Sequence, residues 1–267
     1  MTQIIAIANQ KGGVGKTTTA CNLAFYFSQQ GRRVLIVDLD SQGHAALSFG
    51  IQPNNGLYRL LVEGQSISQV VTPVRENLDV IANDHTAELV RLHATQASFR
   101  EYMLAQALDD APYDLIVLDT APSTDVLHVS ALVASDYLLV PAIMDFLPIE
   151  SVTKILKTNA SLHRIPNVDP PIVIGVLPTM FDRVTTETAQ NVQKLADAIG
   201  SGMILPPIPR DTKFREASHR GMSIWEYAPV AQGAIGYRNG SKSQNSRGLT
   251  GGYLHIAEII ERIIEKE

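Results

Sequence analysis

Lys11-Gly-Gly-Val-Gly-Lys-Thr-Thr18 is the motif from which the architecture of this chain is best predicted. It follows the apolar run Ile4–Ala8 and precedes a helical pattern that extends from Thr19 to Phe27. A strand, a glycine-rich turn and a helix form the arrangement that cradles nucleotide phosphates, because the backbone N–H groups of the loop and the helix N-terminus both face the anion. The sequence therefore predicts a phosphate-binding loop at residues 11–18.

This loop departs from the common pattern Gly-x-x-x-x-Gly-Lys-Thr, because the window that ends at Thr17 opens with Gln10. In the common loop Lys16 would neutralise the β- and γ-phosphates and the Thr17 hydroxyl would bind Mg²⁺. Lys11 is an additional lysine at the mouth of the loop. A lysine beside a glycine turn is usually a solvated charge, so the residues alone leave its role open.

Two further strands are predicted to end in carboxylates. The apolar run Val34–Val37 leads into Asp38 and Asp40, whose spacing puts both side chains on one side of the carboxyl edge, where open α/β sheets bind ligands. A strand over residues 113–119 delivers Asp119, in a pattern typical of the aspartate that holds the hydration shell of Mg²⁺. One aspartate could simply cap a turn, but this explanation accounts poorly for the pair at 38 and 40.

The loop resembles, residue for residue, the deviant Walker A motif of the ParA/MinD ATPases. Asp38-Leu-Asp-Ser-Gln-Gly43 resembles the family's Asp-Leu-Asp-Pro-Gln-Gly, and Asp119-Thr-Ala-Pro-Ser123 resembles its Asp-Thr-Pro-Pro-Ser. The resemblance implies that Lys11 reaches the nucleotide of a partner subunit and that Asp40 positions the attacking water. It also implies a switch loop that senses the γ-phosphate and extends from Asp119 to about Val129.

The same resemblance implies ATP and Mg²⁺ as cofactors. Its catalytic residues would be Lys11, Lys16 and Asp40, and its metal-binding residues Thr17, Asp38 and Asp119. Its nucleotide-binding loop would consist of Lys11, Gly12, Gly13, Val14, Gly15, Lys16, Thr17 and Thr18.

A later segment, Ile208-Pro-Arg-Asp211, resembles the family's Ile-Pro-Arg-Asn, which lies against the adenine. Pro209 would then pack on the base. Asp211 stands where asparagine is usual, and a carboxylate only accepts hydrogen bonds, whereas an amide also donates. This difference leaves base selectivity open.

The composition favours an ordinary water-soluble protein. Of the 267 residues 45% are hydrophobic and 18% charged, the formal net charge is -5, and no apolar run approaches the length of a membrane-spanning helix. With no signal sequence evident, we expect a cytoplasmic protein without membrane contact. Cys21 is the single cysteine, which excludes an intrachain disulfide and an iron–sulfur cluster built within one chain.

Apolar runs of strand length alternate with helical patterns along the chain. They predict strands near residues 70–74, 78–82, 134–141 and 170–178, helices over 148–162 and 186–199, and one or two helices over 86–108 whose apolar stripe joins the core. We therefore expect α/β architecture, with a single doubly wound, mostly parallel sheet, helices on both faces and one domain over residues 1–267.

A glycine-rich basic insertion at about 233–252 interrupts the resemblance. It contains six glycines. The stretch from Arg210 to Gly252 contains seven Lys or Arg but only three Asp or Glu. A flexible solvated loop is one explanation. The other is contact with DNA phosphates, for which the candidate cations are Lys213, Arg215, Arg220, Arg238, Lys242 and Arg247.

The last stretch, Tyr253–Glu267, has the pattern of an amphipathic helix. Its acidic end would be repelled by anionic lipid, so packing on the sheet is favoured over a MinD-like membrane anchor.

The resemblance as a whole implies a partition ATPase whose ATP-bound homodimer binds DNA non-specifically and is released when a ParB-like adaptor stimulates hydrolysis. Its place would be on the nucleoid, and its cargo a plasmid, a chromosome or a protein assembly. A MinD-like division-site regulator and a carboxylate-activating ligase of the same fold are the alternatives.

Overall fold

The structure is a computed structural model that describes residues 2–144, 148–182, 186–238 and 249–265. Its strands are β1 (Gln3–Ile7), β2 (Val34–Asp38), β3 (Thr72–Arg75), β4 (Leu78–Ile81), β5 (Leu115–Asp119), β6 (Tyr137–Ile143), β7 (Ile172–Thr179), β8 (Tyr237–Arg238) and β9 (Leu249–Thr250).

The α-helices in these ranges are α1 (Lys16–Gln29), α2 (His44–Ser48), α3 (Gly56–Leu61), α4 (Ile67–Val70), α5 (Ala87–Gln96), α6 (Met103–Leu108), α7 (Val126–Val133), α8 (Pro148–Ser161), α9 (Thr186–Ile199), α10 (Lys213–His219), α11 (Ile224–Tyr227), α12 (Gln232–Ile235) and α13 (Gly252–Ile264). Short 3₁₀ turns lie at Arg100–Tyr102, Leu162–Arg164 and Ser201–Met203.

Seven strands form one sheet in the order β3-β4-β2-β5-β1-β6-β7. Edge strand β3 pairs antiparallel to β4, and the other pairings are parallel. The central strands β2 and β5 are buried along their whole length, as expected for apolar strands covered on both faces. The predicted fold class is confirmed.

Helices cover both faces of this sheet. On one face α1 and α13 pack against alternate residues of β1, β2 and β5, and on the other face α3, α5, α6 and α7 cover the residues between them. Helices α7 and α8 extend this second layer over β6. The carboxyl ends of β1, β2 and β5 therefore open at a common edge, which is free to carry the loops of a ligand site.

The C-terminal helix packs on the core, as the sequence predicts. In α13 Tyr253, Ile256 and Ile260 are fully buried in the same cluster as residues of α1. Within the described residues, no helix is long and apolar enough to cross a membrane.

The prediction that the apolar residues of 86–108 form core is wrong for three of them. Leu89, Leu92 and Phe99 are 50%, 56% and 76% exposed. The buried face of α5 consists instead of the smaller side chains Ala87, Val90 and Ala94. Apolar residues occur on both faces of this helix, so periodicity does not identify the face that packs.

The interpretation of residues 233–252 as a flexible insertion is wrong at both ends of that range. Residues 233–236 belong to or adjoin α12, and β8 pairs with β9 through Tyr237 and Thr250. Gly236 and Gly251 are buried, and a Cβ on Gly251 would lie 2.2 Å from the carbonyl oxygen of Pro207. These glycines allow close backbone contact instead of flexibility. Residues 239–248, including Lys242 and Arg247, lie outside the described residues.

Candidate nucleotide site

The loop between β1 and α1 is held in place from two neighbouring strands. The Asn9 side chain accepts a hydrogen bond from the Lys11 N–H (3.0 Å) and donates one to the Pro141 carbonyl in β6 (2.8 Å). At the end of β7, the Thr179 hydroxyl donates to the Val14 carbonyl (2.8 Å). These hydrogen bonds fix the path of the loop within the protein.

Gly15 lies directly before α1, with φ at +87°, a left-handed conformation that glycine adopts without strain. The first turn of α1 then starts at Lys16, and its N-terminal backbone N–H groups point out of the helix toward the loop. Together with the helix dipole they form a site suited to phosphate.

Lys16 lies in the middle of the charged groups at this edge. Its side chain is 7% exposed, and its ammonium donates to the Lys11 carbonyl (3.3 Å). Burial lowers the pKa of Lys16, while the nearby Asp119 and Asp40 oppose this change. The structure thus brings Lys16 together with carboxylates from the ends of two other strands, as the motifs predict.

Asp38 and Asp119 are register partners on β2 and β5, but their surroundings differ. The Asp38 carboxylate accepts hydrogen bonds from the N–H groups of Asp40 (2.9 Å) and Ala45 (3.0 Å). Both Asp119 oxygens are buried and accept no hydrogen bond of normal geometry, but the Thr17 hydroxyl lies near enough to act on this carboxyl group as a donor. Burial raises the pKa of both carboxyl groups, and for Asp38 the adjacent Asp119 adds to this effect.

These contacts bear on the predicted metal residues. The described residues contain no cluster of three or more His, Cys, Asp or Glu that could hold a metal by itself. Mg²⁺ commonly binds through one or two carboxylates together with substrate phosphates. The buried oxygens of Asp119 fit that habit, and the Thr17 hydroxyl, which acts on Asp119 as a hydrogen-bond donor, opposes the rise in the pKa of Asp119. The Asp38 oxygens instead shape the turn that follows β2.

A cavity of about 700 Å³ lies beside the phosphate loop. It is bordered by Gly15 and Thr18 on one side and by the segment 208–219 on the other, and both Pro209 and Asp211 line it. The other lining residues are Thr179, Met180, Ile208, Arg210, Thr212, Phe214, Arg215, Ser218, His219 and Tyr253. Its size and position suit a nucleoside attached to phosphates on the loop.

Asp211 has a structural explanation that the sequence does not reveal. One carboxylate oxygen accepts from the Lys213 N–H (3.0 Å), and the other accepts from the Gly233 N–H (3.2 Å). An asparagine would offer only one acceptor atom to these two donors. The acid at this position therefore joins the start of α10 to the start of α12.

Several residues that form the site escape sequence reasoning. The Thr19 hydroxyl is hydrogen-bonded to the Tyr253 hydroxyl (3.0 Å), which anchors α13 below the cavity. The Asn22 side chain donates to the Thr18 carbonyl (2.7 Å) and accepts from the Ile224 N–H (2.8 Å), which anchors α11. Thr19 and Tyr253 are more than 200 positions apart, and so are Asn22 and Ile224, so no local motif signals either pair.

The candidate DNA-contacting cations that the structure describes have other contacts. The Lys213 ammonium pairs with Glu216 (2.7 Å), and Arg215 lines the cavity. The Arg220 guanidinium lies over the Tyr227 ring, 5.2 Å from its centre. The charge of Lys213 is therefore offset by a carboxylate, whereas the contacts of Arg215 and Arg220 do not offset their charges.

This chain is similar to known proteins in both sequence and fold. A family model described as an AAA domain matches residues 2–169. The chromosome-partitioning ATPase Soj of Thermus thermophilus is 37% identical over 236 residues, which cover 88% of this chain and 92% of the relative. The chain belongs to the ParA family.

Two solved structures are similar to this ParA-family chain. Apo McdA from Cyanothece has a TM-score of 0.79 at 21% identity and covers 86% of this chain and 94% of its own, a likeness that concerns the fold. Cobyrinic acid a,c-diamide synthase from Mycobacterium smegmatis, with an ATP analogue and magnesium bound, has a TM-score of 0.74 at 30% identity. That similarity covers 85% of this chain and 96% of the synthase.

Proposed function

We propose that this ParA-family chain is a partition ATPase driven by ATP and Mg²⁺. ATP closes a homodimer, the dimer binds DNA without sequence preference, and hydrolysis stimulated by a ParB-like adaptor releases it. Repetition of this cycle moves a plasmid, a chromosome or a protein assembly. The observation that carries the proposal is the convergence of a two-lysine phosphate loop with Asp40 and Asp119 around Lys16.

Each residue of the site has a part in this proposal. The loop N–H groups and Lys16 bind the β- and γ-phosphates. Thr17 and Asp119 hold Mg²⁺, which supplies positive charge to the phosphates when it is bound. Asp40 orients the water that attacks the γ-phosphate. The cavity lined by Pro209 receives the base.

Lys11 is assigned to the dimer. Its main chain is fixed on both sides, because its N–H donates to Asn9 and its carbonyl accepts from Lys16. Its side chain starts from the mouth of the loop, and the family resemblance implies that it crosses to the nucleotide of the partner subunit. Lys16 then serves the nucleotide of its own subunit, and Lys11 completes the site of the other.

The assignment of Lys11 predicts separable defects. Lys11→Ala should bind a slowly hydrolysed ATP analogue but stay monomeric, whereas Lys16→Ala should lose nucleotide binding. Sedimentation with and without the analogue measures dimerisation, and fluorescence titration of a labelled analogue measures binding. Wild-type protein that stays monomeric at micromolar concentration with the analogue bound would contradict the proposed cycle.

A carboxylate-activating ligase is the second candidate, because one similar structure is that of an amide-forming synthase at 30% identity. A ligase would hydrolyse ATP only with its acid substrate and a nitrogen donor, whereas a partition ATPase responds to DNA and an adaptor. Phosphate release measured with cobyrinic acid and a nitrogen donor, and separately with DNA and a ParB-like adaptor, separates the two functions.

A further inference from the structure

His128 lies on the first turn of α7, directly after the loop that starts at Asp119. Its side chain is 2% exposed, and both ring nitrogens are buried without a hydrogen-bond partner. Buried polar atoms are nearly always paired, because an unpaired one lowers stability. A fully buried imidazole with neither nitrogen paired therefore calls for a functional explanation.

The position of His128 is fixed from a second helix. Asp125 caps α7 and accepts a hydrogen bond from the His128 N–H (3.1 Å) through one oxygen. Its other oxygen accepts from the Arg91 guanidinium in α5 (2.5 Å), which also donates to Glu88 (2.7 Å). The first turn of α7, whose backbone carries His128, is thus anchored to α5.

The charged groups that act on this imidazole relate it to the phosphate site. Burial lowers the pKa of His128 to about 4, Asp125 opposes this change, and Lys16 adds to it. At neutral pH the ring is therefore uncharged and offers one donor and one acceptor. Lys16 is thus one of the charges that act on the ring, and the loop before α7 comes near the phosphate loop at Pro122 and Gly12.

Unpaired buried polar atoms are concentrated at this edge of the sheet. In the described part of the chain they belong to Gln10, Asn83, Asp119 and His128, with Asn159 as the exception. Gln10 opens the phosphate loop, and Asn83 and Asp119 stand at the carboxyl ends of β4 and β5. The unmet hydrogen-bonding capacity thus coincides with the proposed phosphate and metal site.

We propose that His128 is a positioning residue of the nucleotide site, a neutral imidazole that couples α7 and the loop at 120–125 to the phosphates bound at Lys16. The inference rests on the proposed function. The ring nitrogens of His128 form hydrogen bonds when nucleotide is bound. Nucleotide binding thereby aligns the first turn of α7 with the phosphate loop. Gly12 and Pro122 already bring these loops close, because a Cβ on Gly12 would lie 4.0 Å from the Pro122 side chain.

The test compares stability without nucleotide and the gain in stability with nucleotide. His128→Leu replaces two unpaired polar atoms with an apolar side chain, so its Tm without nucleotide should equal or exceed that of the wild type. The rise in Tm on adding a slowly hydrolysed ATP analogue with Mg²⁺ should shrink, with affinity for the analogue about tenfold weaker. Thermal scans and analogue titration give both quantities.

Two further variants make the test specific. His128→Gln keeps a donor and an acceptor and should retain most of the response to the analogue. Asn159→Leu removes an unpaired buried oxygen far from the site, where the Asn159 amide donates to Pro171 before β7. That control should change the Tm without nucleotide but leave the analogue-induced rise as in the wild type.

A packing role would give the opposite pattern, with a lower Tm for His128→Leu and an unchanged response to the analogue, and this result would overturn the inference. No change in either quantity would overturn it as well. His128→Leu could instead lose both stability and the analogue-induced rise in Tm. In that case, a His128→Gln variant that also lacks the rise in Tm would overturn the inference. A wild-type protein whose Tm does not respond to the analogue would instead refute the proposed function, and the inference with it.

Discussion

Asp38, Asp40 and Asp119 illustrate how similar carboxylates acquire different tasks from their contacts. The two oxygens of Asp38 accept backbone N–H groups from the turn that follows β2. One oxygen of Asp40 accepts the Gln42 N–H (3.1 Å), and its charge acts on Lys16. Asp119 accepts no backbone N–H, and its buried oxygens have only the Thr17 hydroxyl as a nearby side-chain donor in the described residues. The spacing of Asp38 and Asp40 indicates a functional pair, but only the contacts distinguish them.

Substitution should therefore separate Asp38 from Asp40. Asp38→Ala leaves two backbone N–H groups without acceptors and should lower the free energy of unfolding by about 2 kcal/mol or more. Asp40→Ala should leave stability nearly unchanged, reduce phosphate release by about a hundredfold and accumulate an ATP-bound dimer. Urea unfolding and phosphate-release assays measure these effects. Wild-type turnover in Asp40→Ala would show that another group orients the water.

Among single residues, the sequence predicts the groups that lie within one contiguous motif. Lys16 and Thr17 fall into this class, because a short loop between a strand and a helix fixes where each residue must be. Asp211 shows the limit. Its partner Gly233 lies 22 positions away and contributes only a backbone N–H, so no side-chain pattern marks the contact.

The elements themselves follow from local patterns. Apolar runs bounded by turns give the parallel strands, because these strands are buried on both faces and read as continuous hydrophobic segments. The prediction is weaker where packing depends on a distant segment. Two examples are the exposed Leu89 and Leu92 on α5 and the buried glycines around β8 and β9. In both cases the contacts that decide the structure come from elsewhere in the chain.

The start of α13 offers a test of the backbone contact at Gly251. Its φ is +79°, and a Cβ there would lie 2.2 Å from the Pro207 carbonyl, so Gly251→Ala should lower the free energy of unfolding by about 3 kcal/mol or more. Gly64→Ala is the matched control, because Gly64 also has positive φ (+66°) but no atom within 4 Å of its Cβ position. Its cost should be about 1 kcal/mol.

Thermal or urea unfolding of the two variants measures this difference. Equal losses of stability would mean that backbone conformation alone governs Gly251, without a contribution from the Pro207 contact. Because Tyr253 follows two residues later and lines the cavity, Gly251→Ala should also weaken binding of the ATP analogue.

The charge of the whole molecule constrains how it could meet DNA. With a net charge of -5, attraction to phosphates must come from a local patch. Lys213 is paired with Glu216, and Arg215 borders the cavity, which makes both weaker candidates for such a patch. Arg238 lies in β8, whose pairing with β9 holds together the two ends of the segment that carries Lys242 and Arg247. Dimerisation would double this segment and so strengthen a weak contact per subunit.

The DNA contact is therefore predicted to depend on the segment between β8 and β9. Replacing Arg238, Lys242 and Arg247 together with alanine should leave ATP-dependent dimerisation intact but weaken binding to DNA of any sequence. Each phosphate neutralised contributes about -0.9 to the slope of log affinity against log salt, so the slope should flatten by up to about three units per subunit. Lys213→Ala is the control, and its effect should be small because Glu216 already pairs with that ammonium. DNA binding measured over a salt series gives both the affinity and the slope. A triple variant with wild-type affinity and slope would place the DNA contact elsewhere, first at Arg220.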